Sequence, residues 1–392
     1  MRYRKLLPLI ISSLISSLIP KNKNIFLFSS WMGLKYSDNP KYLMEFILKN
    51  KDIYKNIKCI WIVKNKEILK SIKNKDIEII YFRSLKGIWY QLRAKVIFFT
   101  HSVKSEYLSY VIGHNTLRIQ TWHGVPLKKI GFDDFLFTNK KTSDLIKRKW
   151  FRFLINEHYD FILSTGKECT EKFSTAFLED EKNIIEFGFP RNDVFLKTAE
   201  IIKSSSIYKV IYMPTFRGKL GAKIDLFSPY GFSPEYIDKM LEKNNISLTL
   251  RMHPVNYPND IFLASIKNCK NIILDTSEDI YDSINKYDCL ISDYSSIIFD
   301  FLLTEKPIIF TPFDKKTYLE NDREFYYSYE EIAFDKVYID WMDVLNSIIE
   351  IKKNGYTPSA EHKKTRDRFH KNKEFNSSEL IIKHIIDKLK KP

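Results

Sequence analysis

The chain has 392 residues and a net charge of +15, from 63 Lys and Arg against 48 Asp and Glu. Apolar residues at 44% and aromatics at 15% are enough to build the cores of two ordinary domains, and they exclude a disordered chain. Four scattered cysteines (Cys59, Cys169, Cys269, Cys289) exclude a disulfide scaffold or zinc ribbon and fit a reducing, cytoplasmic compartment.

The chain opens with a basic start (Arg2, Arg4, Lys5), followed by Leu6–Ile19, which is apolar except for serines and one proline. As a helix this run rises only about 21 Å, short of a hydrocarbon core of about 30 Å. At 100° per residue Ser12, Ser13, Ser16 and Ser17 share one face, opposite Leu7, Ile11, Leu14, Ile15 and Leu18. Residues 1–23 therefore read as an amphipathic helix that lies in a membrane interface or docks on the protein's own core. No small-residue cleavage site precedes Lys21.

From Asn24 onward strands alternate with helices. Strands are predicted at Ile25–Ser29, Ile57–Val63, Ile77–Phe82, Val96–Thr100, Leu117–Gln120, Phe161–Ser164 and Ile184–Phe187, with helices at Pro40–Lys49, Lys86–Arg93 and Cys169–Leu178. A second round places strands at Val210–Met213, Ile246–Arg251, Ile272–Leu274, Cys289–Ser292 and Pro307–Thr311. Its helices fall at Pro234–Lys243, Asp279–Lys286, Ile297–Leu303, Met342–Lys352 and Leu380–Leu389. Apolar strands without strict alternation indicate parallel sheets covered on both faces. The economical architecture is two doubly wound α/β domains, over 24–205 and 206–392, the second carrying the C-terminal helix. Lys203–Tyr208 reads as the linker.

In such folds chemistry gathers where strands end. Thr121-Trp122-His123-Gly124-Val125-Pro126 follows Leu117–Gln120; Gly124 permits a tight turn and His123 suits a general base. Arg251-Met252-His253-Pro254 caps Ile246–Arg251, and alternation puts Arg251 and His253 on one side, a seat for phosphate oxygens. Ser292-Asp293-Tyr294-Ser295-Ser296, leading to Asp300, joins a strand to a helix whose free amides and serine hydroxyls could hold a diphosphate. Arg217, in Met213-Pro214-Thr215-Phe216-Arg217-Gly218, meets phosphate or water. Gly188-Phe189-Pro190-Arg191-Asn192-Asp193 reads as a structural turn between domains. His158, His362, His370 and His384 read as exposed. The Lys-rich stretch Lys64–Lys75 reads as a solvated surface. P-loop, dinucleotide, zincin and nucleophile-elbow motifs are absent, and no metal site is expected.

Taken in order, Gly33 with Tyr36-Ser37-Asp38-Asn39-Pro40-Lys41, then TWHGVPLK, GFPRND, PTFRG, RMHP and SDYSSIIFD, resemble the CDP-glycerol glycerophosphotransferase family over roughly Ile25 to Asp314. The resemblance implies a GT-B-type fold, two Rossmann-like domains facing across a cleft. It also implies transfer of a polyol phosphate, most naturally glycerol phosphate, from a CDP-activated donor to a hydroxyl of a teichoic-acid-like or capsular polymer, with release of CMP. The family's catalytic histidines fall on His123 and His253, and its phosphate-binding hydroxyls on Ser295 and Ser296. Gly124, Arg217, Arg251, Asp293 and Asp300 complete the expected substrate contacts. Peripheral association with the cytoplasmic membrane face and a lipid-linked or glycan acceptor are implied, with no resident cofactor.

Two other readings stand beside it. An ordinary GT-B glycosyltransferase shares the fold and differs in its nucleotide-sugar donor. A nucleic-acid-binding protein would answer the charge, as would acidic lipid or a polyanionic substrate. The chain, however, has no recognisable RNA or DNA module, and its basic residues are dispersed.

Overall fold

The computed structural model describes residues 7–71, 77–134, 150, 153, 157–197, 206–218, 225–253, 258–321 and 324–390. These form two compact units. One takes the described residues of Met1–His123, Leu136–Asp193 and Lys371–Pro392; the other takes those of Gly124–Phe135 and Val194–His370.

The first unit is built on β1 (Asn22–Phe28), β2 (Lys58–Val63), β3 (Glu78–Tyr81), β4 (Ala94–Phe99), β5 (Leu117–Gln120), β6 (Phe161–Leu163) and β7 (Ile184–Ile185). Every pairing is parallel, in the order β3-β2-β1-β4-β5-β6-β7. The central strands are buried throughout their apolar runs, and Phe28 stacks on Phe98 with centroids 4.7 Å apart. The second unit repeats the scheme with β8 (Tyr208–Tyr212), β9 (Ile246–Leu250), β10 (Ile272–Leu274), β11 (Cys289–Ser292) and β12 (Ile308–Phe310), in the order β10-β9-β8-β11-β12. In both sheets the winding reverses beside the first strand, at β1 and at β8, and loops at the carboxyl ends there gather residues distant in sequence.

All twelve expected strands form. Three other expectations are corrected. The segment Asp279–Lys286 is two 3-10 turns, Ile280–Asp282 and Ile284–Lys286, because Ser283 leaves the helical region at φ −138. Tyr208 begins β8 and is not part of a linker; Lys203 lies outside the described residues. The C-terminal helix, Ser377–Lys390, belongs to the first unit. Its N-terminal amides, Ser377 N and Ser378 N, donate to the Asp193 carboxylate at 2.9 and 2.8 Å, and Ile381, Ile382 and Ile385 are fully buried.

The N-terminal helix, Leu7–Leu18, docks on the first unit through its serines. Ser12 Oγ donates to Tyr110 O at 3.0 Å, Ser17 Oγ accepts from His114 N at 2.8 Å, and Ser13 and Ser16 are buried. A Cβ on Gly113 would come within 2.6 Å of Ser16 O, so glycine permits this approach. The apolar face points outward: Ile11, Leu14, Ile15 and Leu18 are 47, 56, 57 and 83% exposed.

Candidate active site

His123 is the last residue of the first unit before the chain crosses to the second. It sits just past β5, half-buried, with Nδ1 3.2 Å from the Thr100 carbonyl. A carbonyl can only accept, so this bond places the proton on Nδ1 and the lone pair on Nε2. The ring stacks on Trp122 (4.1 Å) and on His101 (4.7 Å, 15° between planes), with Trp31 at 5.5 Å.

His101 is absent from the sequence reading, although the signal for it was the same: it follows β4 as His123 follows β5. Adjacent parallel strands bring the two rings together. Beneath them the Glu106 carboxylate, fully buried, accepts from Thr100 N, Thr100 Oγ1 and His101 N at 2.9–3.0 Å. Burial pushes this carboxyl up, with His101 opposing.

The loop carrying His123 is strained and held. Trp122 has φ 53, and Trp31, Met32 and Asp38 are also left-handed at φ 47, 60 and 65. Asn39 Nδ2 donates to Thr121 O and Trp122 O at 3.0 and 3.1 Å. Arg191 Nη1 bridges Asp38 Oδ1 and His123 O, both at 2.9 Å, with both side chains about 5% exposed. Asp38, Asn39 and Arg191 thus clamp the histidine loop. Gly124 is buried at φ 145, a turn residue.

In the second unit several expected ligand contacts are turned inward. Arg217 Nε and Nη2 make a two-point bond to Asp314 at 2.9 and 2.7 Å, and Nη1 lies 2.6 Å from Asp293 Oδ2. The guanidinium lies beside Tyr294 and Tyr318, which stack on each other, at 5.1 and 5.0 Å from their centroids. Burial lowers its pKa, but Asp293 and Asp314 outweigh burial and hold it above the ordinary arginine value. Arg217 is 4% exposed, and so faces neither phosphate nor water. Asp293 also accepts from Thr215 N and Tyr294 N, and Asp300, fully buried, accepts from Tyr281 Oη at 2.5 Å. These carboxylates brace the loops.

Arg251 lies beyond β9, which ends at Leu250, so strand alternation does not align it with His253. Its guanidinium binds Asp275 Oδ2 at 2.5 Å, Ser277 Oγ at 2.7 Å and Ser277 O at 2.9 Å: a rim ion pair, not an open seat. His253 is half-buried against Phe216 at 5.5 Å; Pro254 lies outside the described residues. Ser295 and Ser296 are half-buried and their hydroxyls bond to no described residue. Ser296 precedes the helix Ile297–Leu302 without capping it, and six residues make only a weak dipole. The hydroxyls are the available donors.

Two histidines read as exposed are buried. His362 is fully enclosed, its Nδ1 2.8 Å from Tyr356 Oη, and His370 Nε2 donates to Phe299 O at 2.7 Å. Partners from earlier in the chain meet both, Phe334 and Tyr356 at His362 and Phe299 at His370. Among the described residues no group of three or more His, Cys, Asp or Glu could hold a metal ion.

Residues 11–387 match the family described as CDP-Glycerol:Poly(glycerophosphate) glycerophosphotransferase. The chain is 32% identical over 354 residues to a teichoic acid poly(glycerol phosphate) polymerase of Bacillus spizizenii, covering 85% of both. It is 31% identical over 332 residues to a teichoic acid glycerol-phosphate transferase of Staphylococcus aureus, covering 79% of both. Among solved structures, the wall teichoic acid polymerase TagF is similar at a TM-score of 0.77 and 24% identity, covering 99% of each chain.

Proposed function

Because this chain belongs to the CDP-glycerol:poly(glycerophosphate) glycerophosphotransferase family, we propose that it transfers a polyol phosphate, glycerol phosphate above all, from a CDP-activated donor to a hydroxyl of a teichoic-acid-like or capsular polymer. The acceptor oxygen bonds to the donor's β-phosphorus, the bond from that phosphorus to the bridging oxygen breaks, and CMP leaves with the electron pair. His123 takes the hydroxyl proton. The observation that carries this reading is the His123 Nδ1 contact with Thr100 O, which fixes the ring and favours the tautomer a general base needs. A base so placed is worth about 10²–10⁴ in rate.

The reading gives the diphosphate contacts to Ser295, Ser296 and His253. Arg217, Asp293 and Asp300 serve it by holding those loops in shape, and Arg251 by fixing the segment before His253. In phosphoryl transfer such preorganised donors supply much of the rate enhancement. The donor is a substrate, so no resident cofactor enters the reading.

The test is nucleotide release across CDP-glycerol, CDP-ribitol and UDP-sugars, each with and without chelator. CMP from CDP-glycerol is expected, and the chelator arm decides whether a divalent cation is needed. UDP from a UDP-sugar with no CMP release would overturn the reading in favour of an ordinary glycosyltransferase.

The same reading puts the enzyme on the cytoplasmic face of the membrane, where a lipid-linked acceptor is reached. What supports it is the inverted helix Leu7–Leu18, hydroxyls inward and Ile11, Leu14, Ile15 and Leu18 outward, an arrangement suited to an apolar interface rather than to water. No helix among the described residues is long and apolar enough to cross a membrane. Deleting residues 1–19 should move the protein from membrane to soluble fractions; undiminished membrane binding would remove the helix from this role.

A further inference from the structure

Four cations line the carboxyl edge of the first sheet. Arg83 follows β3, Lys64 and Lys66 follow β2, and Lys104 follows β4, next to the strand that presents His123. Because these strands are parallel and adjacent, the residues fall along one edge, about 19 Å from β3 to β5 at about 4.8 Å per strand. They are tied together. Lys64 Nζ donates to Lys104 O at 2.9 Å, Lys64 and Arg83 share the Phe82 ring at 5.1 and 5.0 Å, and Lys66 lies over Tyr81 at 5.0 Å. None of the four makes an ion pair with a carboxylate of a described residue. At the amino ends of β2 and β3, by contrast, Lys58 and Lys86 both close on Glu78, at 3.0 and 2.7 Å. The nearby acids, two of which (Glu106 and Glu157) act on Lys64, have other partners. Glu106 is buried under His101, Glu157 is buried and accepts from Lys104 N at 3.1 Å, and Glu67 bonds to Asn65.

We propose that this edge is a polyanion track that holds the phosphates of the growing acceptor polymer and feeds its terminal hydroxyl to His123. The inference deepens the function proposed above and rests on it. Cations strung along an edge suit a chain with a charge on every repeat, whereas a single diphosphate needs donors converging on one point. The track also gives a task to part of the +15 charge, including Lys64 and Lys66 from a stretch that reads as plain solvated surface.

The test is a charge-reversal triple, Lys66→Glu with Arg83→Glu and Lys104→Glu, all at exposed positions. The control reverses Lys267, Lys270 and Lys363 to Glu, exposed lysines of the second unit. Binding of labelled poly(glycerol phosphate) is followed by anisotropy without donor, and steady-state kinetics follow with donor. In the triple, KM for the polymer should rise at least about tenfold while KM for CDP-glycerol stays within about twofold, and the control should behave as wild type. The salt dependence of polymer binding should flatten by about 2 in log–log slope, at about 0.7 per lost phosphate contact. Lys66→Arg with Lys104→Arg should bind like wild type. Equal losses in triple and control, unchanged polymer affinity in the triple, or tighter wild-type binding of single-stranded DNA than of the polymer would overturn the track. Because anisotropy needs no turnover, intact track-dependent binding without CMP release would instead sink the transferase reading alone.

Discussion

The loop after β5 and the loop after β8 look alike in sequence, each a strand end followed by a polar residue beside Gly and Pro, yet they are built for opposite purposes. At the first, bonds from Asn39 and Arg191 are spent on the backbone, and the His123 ring is left half-buried against other rings. At the second, the polar side chain is itself consumed: Arg217 is closed by Asp293 and Asp314 within 5–13% exposure or less. A guanidinium with two carboxylates already in place has little affinity left for phosphate. The lesson is that a residue's partners, not its position after a strand, decide whether it acts or braces.

That contrast breaks most sharply by mutation. His123→Ala should lower kcat at least about a hundredfold while CDP-glycerol binding, read by calorimetry, survives. His101→Ala, measured beside it, shows how much the stacked partner contributes; a His123 variant of near-full turnover would move the base elsewhere. Arg217→Ala should do the reverse. It leaves two buried carboxylates uncompensated, so a loss of about 3–5 kcal/mol in stability is expected by denaturant unfolding. Ser295→Ala with Ser296→Ala should weaken donor affinity with stability nearly unchanged, since these hydroxyls bond to no described residue. If Arg217→Ala proved stable but blind to the donor, the bracing role would be wrong and the phosphate contact restored.

Much of this was legible in sequence because parallel sheets are written in continuous apolar runs, as at Val96–Phe99 and Cys289–Ser292. The strand-end rule singles out His123 and the serines, and the structure places them just past β5 and β11. It passes over His101, because that residue's value lies in a neighbour beyond the next strand, and pairing of β4 with β5 is a tertiary fact. Arg217 and Arg251 were misread for the same reason: their carboxylates, Asp314 and Asp275, come from other loops. The C-terminal helix carries no mark in its own sequence of which unit will supply Asp193 to cap it.

The smallest effect concerns a residue whose burial was invisible in sequence. His362 is wholly enclosed, its ring 4.5 Å from Phe334, and burial pulls its pKa below the ordinary 6.5 despite opposing help from the Leu302 backbone and Asp335. In the unfolded chain the same imidazole protonates near 6.5. Above that pH both states are neutral and the residue adds no pH dependence. As pH falls through 6.5 the unfolded state takes up protons that the folded state resists, so stability declines until the lowered folded pKa is reached. His114, lowered by burial and by Arg118, acts in the same direction. The fall in Tm between pH 7 and pH 5 should therefore be shallower in His362→Gln than in wild type, since the variant removes a group that steepens it. An unchanged slope would mean that the enclosed ring accepts its proton as readily as an exposed one, and that the cavity around it opens to water.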